Sequence, residues 1–188
     1  KLVAQGKIRH FGVSNWAAWQ TAKALGIAAV NDWAPITCLQ PMYSLAKRQA
    51  EVEIMPLASA DNLGVIPYSP LGGGLLSGKY GADKKPNEPS RLMDNSMYSQ
   101  RYRLDTYYQV AERFCEYARD HGEHPVSLAV AWVGGHTAVT APIIGARNLE
   151  QLEPSLKAMD ISMPPERRSE IAALAPAPAP ANDRLEEV

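Results

Sequence analysis

Three short apolar runs in this chain each end in small polar residues or glycine, and chemistry is expected at those endings. They are IRHFGVSN at 8–15, GVIPYSPLGGGLLSGKY at 64–80 and TAPIIGARNLEQLE at 140–153. Each reads as a buried strand opening into a loop or a helix start, which is how parallel α/β proteins hold ligands at the carboxyl ends of strands. Together they outline a seat for a cofactor. Plainer readings stand beside this one. Ser14 or Asn15 can cap a helix, Gln40 can satisfy a strand end, Tyr68 can be a core tyrosine, and the glycines at 72–74 can be an ordinary flexible loop.

The elements that must position these residues follow the same pattern. Residues 1–6 read as the end of a helix closed by Gly6. Strands are expected at 8–13, within 35–42, at 65–68 and at 139–144. Helices are expected after Asn15, at 49–62, at 105–121, from Pro125, at 148–159 and at 166–174. In the first of these, Trp16, Trp19, Ala22, Ala24 and Leu25 are spaced for an inward face, and in the second Pro56 threatens a bend. The polar stretch 78–104 reads as a long functional loop over the seat, ordering when the seat is filled. APAPAPAND at 175–183 reads as extended and solvated. Four β-then-α units result. No GxGxxG fingerprint follows the first strand, which disfavours a dinucleotide-binding sheet of that type and favours a (β/α) barrel. Four units are half of the eight such a barrel needs.

Composition narrows the class. The chain has 188 residues, 46% hydrophobic and 21% charged, with a net charge of −1, which suits one globular domain with a real core. No basic excess exists to neutralise phosphates, so no nucleic-acid partner is expected. The apolar runs are too short to span a bilayer, so no membrane partner is expected either. Cys38 and Cys115, both in apolar patterns, read as buried free thiols of a cytoplasmic protein. The chain opens on Lys1 with strand-like sequence almost at once, so it is expected to start within a longer protein.

Five motifs in order carry a family resemblance: GKIRHFGVSN at 6–15, QPMYS at 40–44, YSPLGGGLLSGKY at 68–80, AVAW at 129–132 and PIIGARNLEQLE at 142–153. The chain resembles the carboxy-terminal half of an aldo-keto reductase, the NADP-dependent (β/α)8 oxidoreductase family, and most of all its bacterial members and the potassium-channel β-subunit branch. The resemblance implies an α/β fold, half of a (β/α)8 TIM barrel, with residues 1–174 as the cofactor-binding half and 175–188 as a tail. It implies NADP(H) as cofactor. Ser14, Asn15 and Gln40 resemble the partners of the nicotinamide carboxamide, which needs both donors and acceptors. Tyr68 resembles the aromatic residue stacked on the nicotinamide ring. Ser69, Leu71, Gly72, Gly73 and Gly74 resemble the loop whose amides approach the pyrophosphate. Lys79 resembles a phosphate contact, and Arg91 is separately expected to reach a phosphate across the long loop. Gly145, Arg147 and Gln151 resemble the 2′-phosphate and adenine side, where the guanidinium forks onto phosphate oxygens at a helix N-terminus. The sequence departs at Pro154 and Ser155, where many members carry Glu-Asn against the adenine.

The family's catalytic set is an Asp, a Tyr, a Lys and a His, of which the Tyr protonates the carbonyl oxygen as hydride arrives with its pKa lowered by the Lys, and these have no match in position. Asp105-Thr106-Tyr107-Tyr108 resembles part of the set but precedes a helix rather than following a strand. The four histidines stand elsewhere, and His121 with His124 lacks the third ligand a metal site needs. No catalytic or metal residue is therefore expected. The resemblance implies reduction of a small-molecule aldehyde or ketone by the parent protein, with this chain inactive alone. The alternative is a non-catalytic NADP(H)-binding, redox-sensing subunit. The open sheet edges imply either a complementary amino-terminal half or self-association to cover them.

Overall fold

The computed structural model describes residues 1–80 and 95–182. Arg91 and much of the expected loop lie outside the described residues. Residues 1–7 form a turn closed by Gly6 at φ 68°. The Lys7 amide reaches the Leu2 carbonyl at 3.1 Å and the Gly6 amide reaches Val3 at 2.8 Å, the paired bonds of a helix end with a left-handed glycine.

Three parallel strands follow, β1 (Gly12–Ser14), β2 (Cys38–Gln40) and β3 (Gly64–Val65), hydrogen-bonded in that order. Gly12 pairs with Cys38, Ser14 with Gln40 and Leu39 with Val65. Gly12 is required by this register, since a Cβ there would stand 2.5 Å from the Cys38 carbonyl oxygen. All three strands are shorter than the apolar runs that announced them. Pro41 has no N–H to donate back to the third strand, so the β2–β3 ladder breaks after Val65 and resumes as the Met42–Tyr68 bridge. The expected fourth strand at 139–144 is not a regular strand. Thr140 and Ile143 donate backbone bonds of 2.8 Å to Val65 and Pro67, and Ile143 bridges Tyr68 in parallel. Pro142, between them, cannot donate to a ladder, so the chain crosses the sheet edge as an isolated bridge.

The helices α1 (Ala18–Val30) and α2 (Ile54–Ala60) follow β1 and precede β3. The N-cap of α1 is Ala17, not Ser14 or Asn15; the Gln20 side chain reaches back to the Ala17 amide at 2.8 Å. The inward face of α1 also differs from expectation. Thr21 and Ala28 are buried, with Ala24 and Leu25 half-buried, whereas Trp19 is 66% and Trp16 42% exposed and Ala22 is exposed. The single helix expected at 49–62 divides into a 3-10 turn, Gln49–Glu51, and α2. Pro56 sits in the first turn of α2, where no intrahelical donor is missed.

Beyond the sheet come α3 (Ser96–Arg101), which forms inside the stretch expected to be loop, then α4 (Asp105–Asp120), α5 (Pro125–Gly134), α6 (Leu149–Leu156) and α7 (Pro165–Ala172). Asn95 caps α3 by accepting from the Met97 and Tyr98 amides. Val110, Phe114 and Ala118 of α4 recur at four-residue spacing and are fully buried. Helix α5 is buried along Val126 to Val133, as a helix apolar on all sides must be. These helices and the 43–46 segment enclose the largest core cluster, around Tyr43, Phe114 and Trp132. A smaller one, of Ile36, Leu39, Ala58 and Val65, joins the sheet to α1 and α2. Cys38 and Cys115 form no disulfide and are half-buried rather than buried. Among the described residues, no helix is long and apolar enough to cross a membrane.

Candidate cofactor site at the strand ends

The parallel register brings Ser14 beside Gln40 and, one strand further on, places Met42 against Tyr68. Side chains from three consecutive strand ends therefore meet. The Tyr68 hydroxyl donates to Asn15 Oδ1 at 2.7 Å, Asn15 Nδ2 donates to Ser14 Oγ at 3.0 Å, and Ser14 Oγ donates to Gln40 Oε1 at 3.2 Å and to the Gln40 carbonyl at 3.1 Å. The Asn15 amide N–H is held by the Gln40 carbonyl at 3.3 Å. The Gln40 side-chain NH2 has no partner among the described residues. A crevice lined by Asn15, Trp16, Gln40, Pro41 and Ile54 adjoins this chain of bonds. Pro41 and Ile54 were not singled out from sequence, and Trp16 was expected on the inward face of the first helix rather than beside the Ser-Asn pair.

Two residues of this site hold unusual backbones. Asn15 has φ 59° and Ser69 φ 60°, a region that asparagine tolerates better than most side chains. The glycine run after Tyr68 is left-handed throughout, with φ 58° at Gly72, 70° at Gly73 and 100° at Gly74. The Gly72 amide bonds to the Ser69 carbonyl at 2.9 Å and the Gly74 amide to Leu71 at 3.1 Å. The Gly73 amide has no such bond among the described residues. A Cβ on Gly72 would touch the Tyr102 hydroxyl at 3.6 Å, so the loop lies directly on the helical core. Lys79 follows as an exposed cation.

The bridge between Ile143 and Tyr68 sets Gly145 and Arg147 just beyond the same sheet end. No Cβ contact is made at Gly145, and Arg147 is exposed. The Gln151 side chain accepts from the Arg147 amide at 3.2 Å, and Asn148 caps α6 by accepting from the Gln151 amide at 3.0 Å. Pro154 lies inside α6, and its carbonyl accepts from Ser127 Oγ. Arg147 and Gln151 are thus tied to each other, and no hydrogen bond joins them to the Ser14–Asn15–Gln40–Tyr68 chain.

The donor set suits a nicotinamide carboxamide. Asn15 and Gln40 offer both amide hydrogens and carbonyl oxygens, and Tyr68 offers a flat ring beside them. Asp105 to Tyr108 lie instead at the start of α4, where the Tyr107 hydroxyl accepts from Lys47 Nζ at 2.5 Å. No group of three or more metal-ligating side chains occurs among the described residues.

Comparison with known proteins agrees with this architecture. The aldo/keto reductase family model matches residues 1–176, and the chain belongs to that family. It is 37% identical over 161 residues to the uncharacterized oxidoreductase YrpG of Bacillus subtilis (strain 168), covering 86% of this chain and 47% of that protein. It is 30% identical over 171 residues to Protein tas of Escherichia coli (strain K12), covering 90% of this chain and 48% of the other. It is 32% identical over 174 residues to human aflatoxin B1 aldehyde reductase member 2, covering 85% and 48%. The chain spans about half the length of these curated relatives.

Proposed function

We propose that this chain is the NADP(H)-binding half of a (β/α)8 oxidoreductase that reduces an aldehyde or ketone to an alcohol. The observation that carries this reading is the chain of hydrogen bonds from Tyr68 through Asn15 and Ser14 to Gln40, built across three adjacent strand ends. The name of the human relative, an aldehyde reductase, supports a carbonyl substrate. In this reading Asn15 and Gln40 orient a carboxamide, the Tyr68 ring holds one face of the nicotinamide, and the Gly73 amide faces the pyrophosphate. Arg147 takes the 2′-phosphate, with α6 adding about half a positive charge at its N-terminus. A bound reduced nicotinamide would supply the hydride.

The proton for the carbonyl oxygen comes, in this proposal, from a complementary amino-terminal half that also covers the open sheet. Large apolar side chains stand exposed at both ends of it. Phe11, Trp16, Trp19, Val30 and Trp33 flank β1, and Ile143, Leu149 and Met159 flank the opposite end. Two cysteines outside any disulfide fit a reducing, cytoplasmic setting. The chain alone is then inactive, with residues 1–174 as the cofactor-binding half and 175–188 as the segment that follows it.

Titration with NADPH and NADH, followed by protein fluorescence, tests the cofactor assignment. NADPH is expected to bind more tightly, and Arg147→Ala to weaken NADPH by about ten- to a hundredfold, the loss of one charge-assisted contact, with NADH little changed. Equal loss for both, or none, removes the 2′-phosphate role. Steady NADPH binding by the full-length protein without reduction of any aldehyde or ketone favours the redox-sensing alternative.

A further inference from the structure

A second cavity, of about 330 Å³ and sharing no lining residue with the crevice at the strand ends, opens between the 45–49 segment, the start of α4 and the chain after α7. Its floor is apolar, from Leu45, Leu104, Val110 and Pro178. Its polar groups are Lys47, Arg48 and Gln49 from the 45–49 segment and Thr106 and Tyr107 from the start of α4. The volume is within the range of small-molecule pockets, and so is the mixture of an apolar trough with a few convergent polar groups.

Lys47 decides the chemistry. Its neighbour Arg48 is paired with Glu51 at 2.9 Å, a carboxylate shared with Arg168, and also donates to the Ala172 carbonyl at 3.0 Å. Lys47 has no carboxylate within salt-bridge distance among the described residues. It is half-buried and, among the described residues, bonded only to a neutral phenol, with its ammonium 4.3 Å from the Tyr107 ring centroid and 5.6 Å from that of Tyr102. Those rings hold the cation in place, and no carboxylate among the described residues compensates its charge. A half-buried cation facing an apolar trough is complementary to an anion with an apolar body.

We infer that this groove is a second ligand site, for a small carboxylate carrying an aryl or branched alkyl group. The carboxylate accepts from Lys47 Nζ and from the Thr106 and Tyr107 hydroxyls, and the apolar body lies on Leu104, Val110 and Pro178. The site is separate from the strand-end site and stands or falls independently of the nicotinamide reading. Free carboxylates are favoured over phosphate because one monovalent cation and two neutral hydroxyls suit one negative charge better than two.

The test is calorimetric titration of the full chain with 4-methylbenzoate, with 4-methylbenzamide and inorganic phosphate as comparisons. Saturable binding of the benzoate is expected, with no detectable heat from the amide and weaker binding of phosphate. Lys47→Met should weaken the benzoate at least tenfold, while Lys47→Arg stays within about threefold. Gln49→Glu, at the exposed mouth of the groove, places a competing carboxylate beside Lys47 and should reduce affinity as Lys47→Met does. Arg147→Ala and Lys79→Ala should leave the benzoate unaffected. Absence of saturable binding overturns the proposal. So does unchanged affinity in Gln49→Glu, or loss in Arg147→Ala, which would move the anion to the strand ends.

Discussion

Asn15 combines two demands in one residue. Its side-chain amide links Tyr68 to Ser14, and its backbone sits at φ 59°. The two are separable by substitution. Asn15→Gly relaxes the backbone and removes the amide, whereas Asn15→Ala removes the amide and keeps the steric cost, roughly 1–2 kcal/mol. Both are expected to lose NADPH affinity in a fluorescence titration, and only Asn15→Ala to lower the melting temperature appreciably. Equal destabilisation by both would mean that the side-chain bonds, not the backbone, hold this turn. Tyr68 divides similarly. Tyr68→Phe keeps the ring and loses the bond to Asn15, so it should weaken NADPH less than Tyr68→Ala does. Ser14 and Gln40 were legible from sequence because polar residues end apolar runs. Their mutual contact was not, since it depends on the pairing of Ser14 with Gln40 across two strands.

At the scale of elements, the sheet is held by close backbone approach and the helical side by a half-buried charged cluster. Gly12→Ala would press a methyl group against the Cys38 carbonyl, a rigid backbone atom, and should cost about 1–3 kcal/mol, read as a lowered denaturation midpoint. On the helical side, Arg168 donates to Tyr43 and reaches Glu51 at 3.3 Å, Tyr43 donates to Glu51, and Arg48 grips the same carboxylate. The Trp132 indole donates to the Arg168 carbonyl at 3.0 Å, and the Arg168 guanidinium lies over its ring at 4.6 Å. Glu51→Gln leaves two guanidinium groups without a counter-charge and should destabilise by about 1–3 kcal/mol, seen in urea unfolding. The elements themselves were largely legible as helices and strands. Their ends were not, because prolines at 41 and 142 interrupt ladders whose apolar patterns continue past them.

For the whole molecule, the charged cluster makes stability depend on pH in a definite direction. His136 stands edge-on to Tyr43 at 5.9 Å. Burial chiefly, and then the Arg168 charge, holds its pKa below the ordinary histidine value, against the opposing charge of Glu51. The unfolded chain therefore takes up its proton at higher pH than the folded one. The stability this contributes is complete above about pH 6.5 and is lost as pH falls toward the folded value. Glu51 acts in the same sense at lower pH. Burial alone would raise it, but hydrogen bonds from Arg48 and Tyr43 with the Arg48 and Arg168 charges outweigh burial and hold it below the ordinary carboxyl value. Its contribution is lost only as pH falls through that depressed value. The melting temperature should drop between pH 7.5 and 5.5, and His136→Asn should flatten that drop. An equally steep decline in the variant would place the titrating group elsewhere.

The order of apolar runs, the polar residues that end them and five motifs in sequence were enough to indicate a parallel α/β chain of the aldo/keto reductase family and to mark its strand ends. Those properties are local, since one strand or turn dictates its own residue types through alternation, caps and left-handed glycines. What the tertiary structure decided depends on residues far apart in the chain. It joined Asn15 to Tyr68 and replaced the fourth strand by a bridge at Ile143. It turned Trp19 outward and set Lys47 against Tyr107 over a cavity. Helical spacing tells which residues share a face, but only packing against β2, β3 and α2 tells which face is covered.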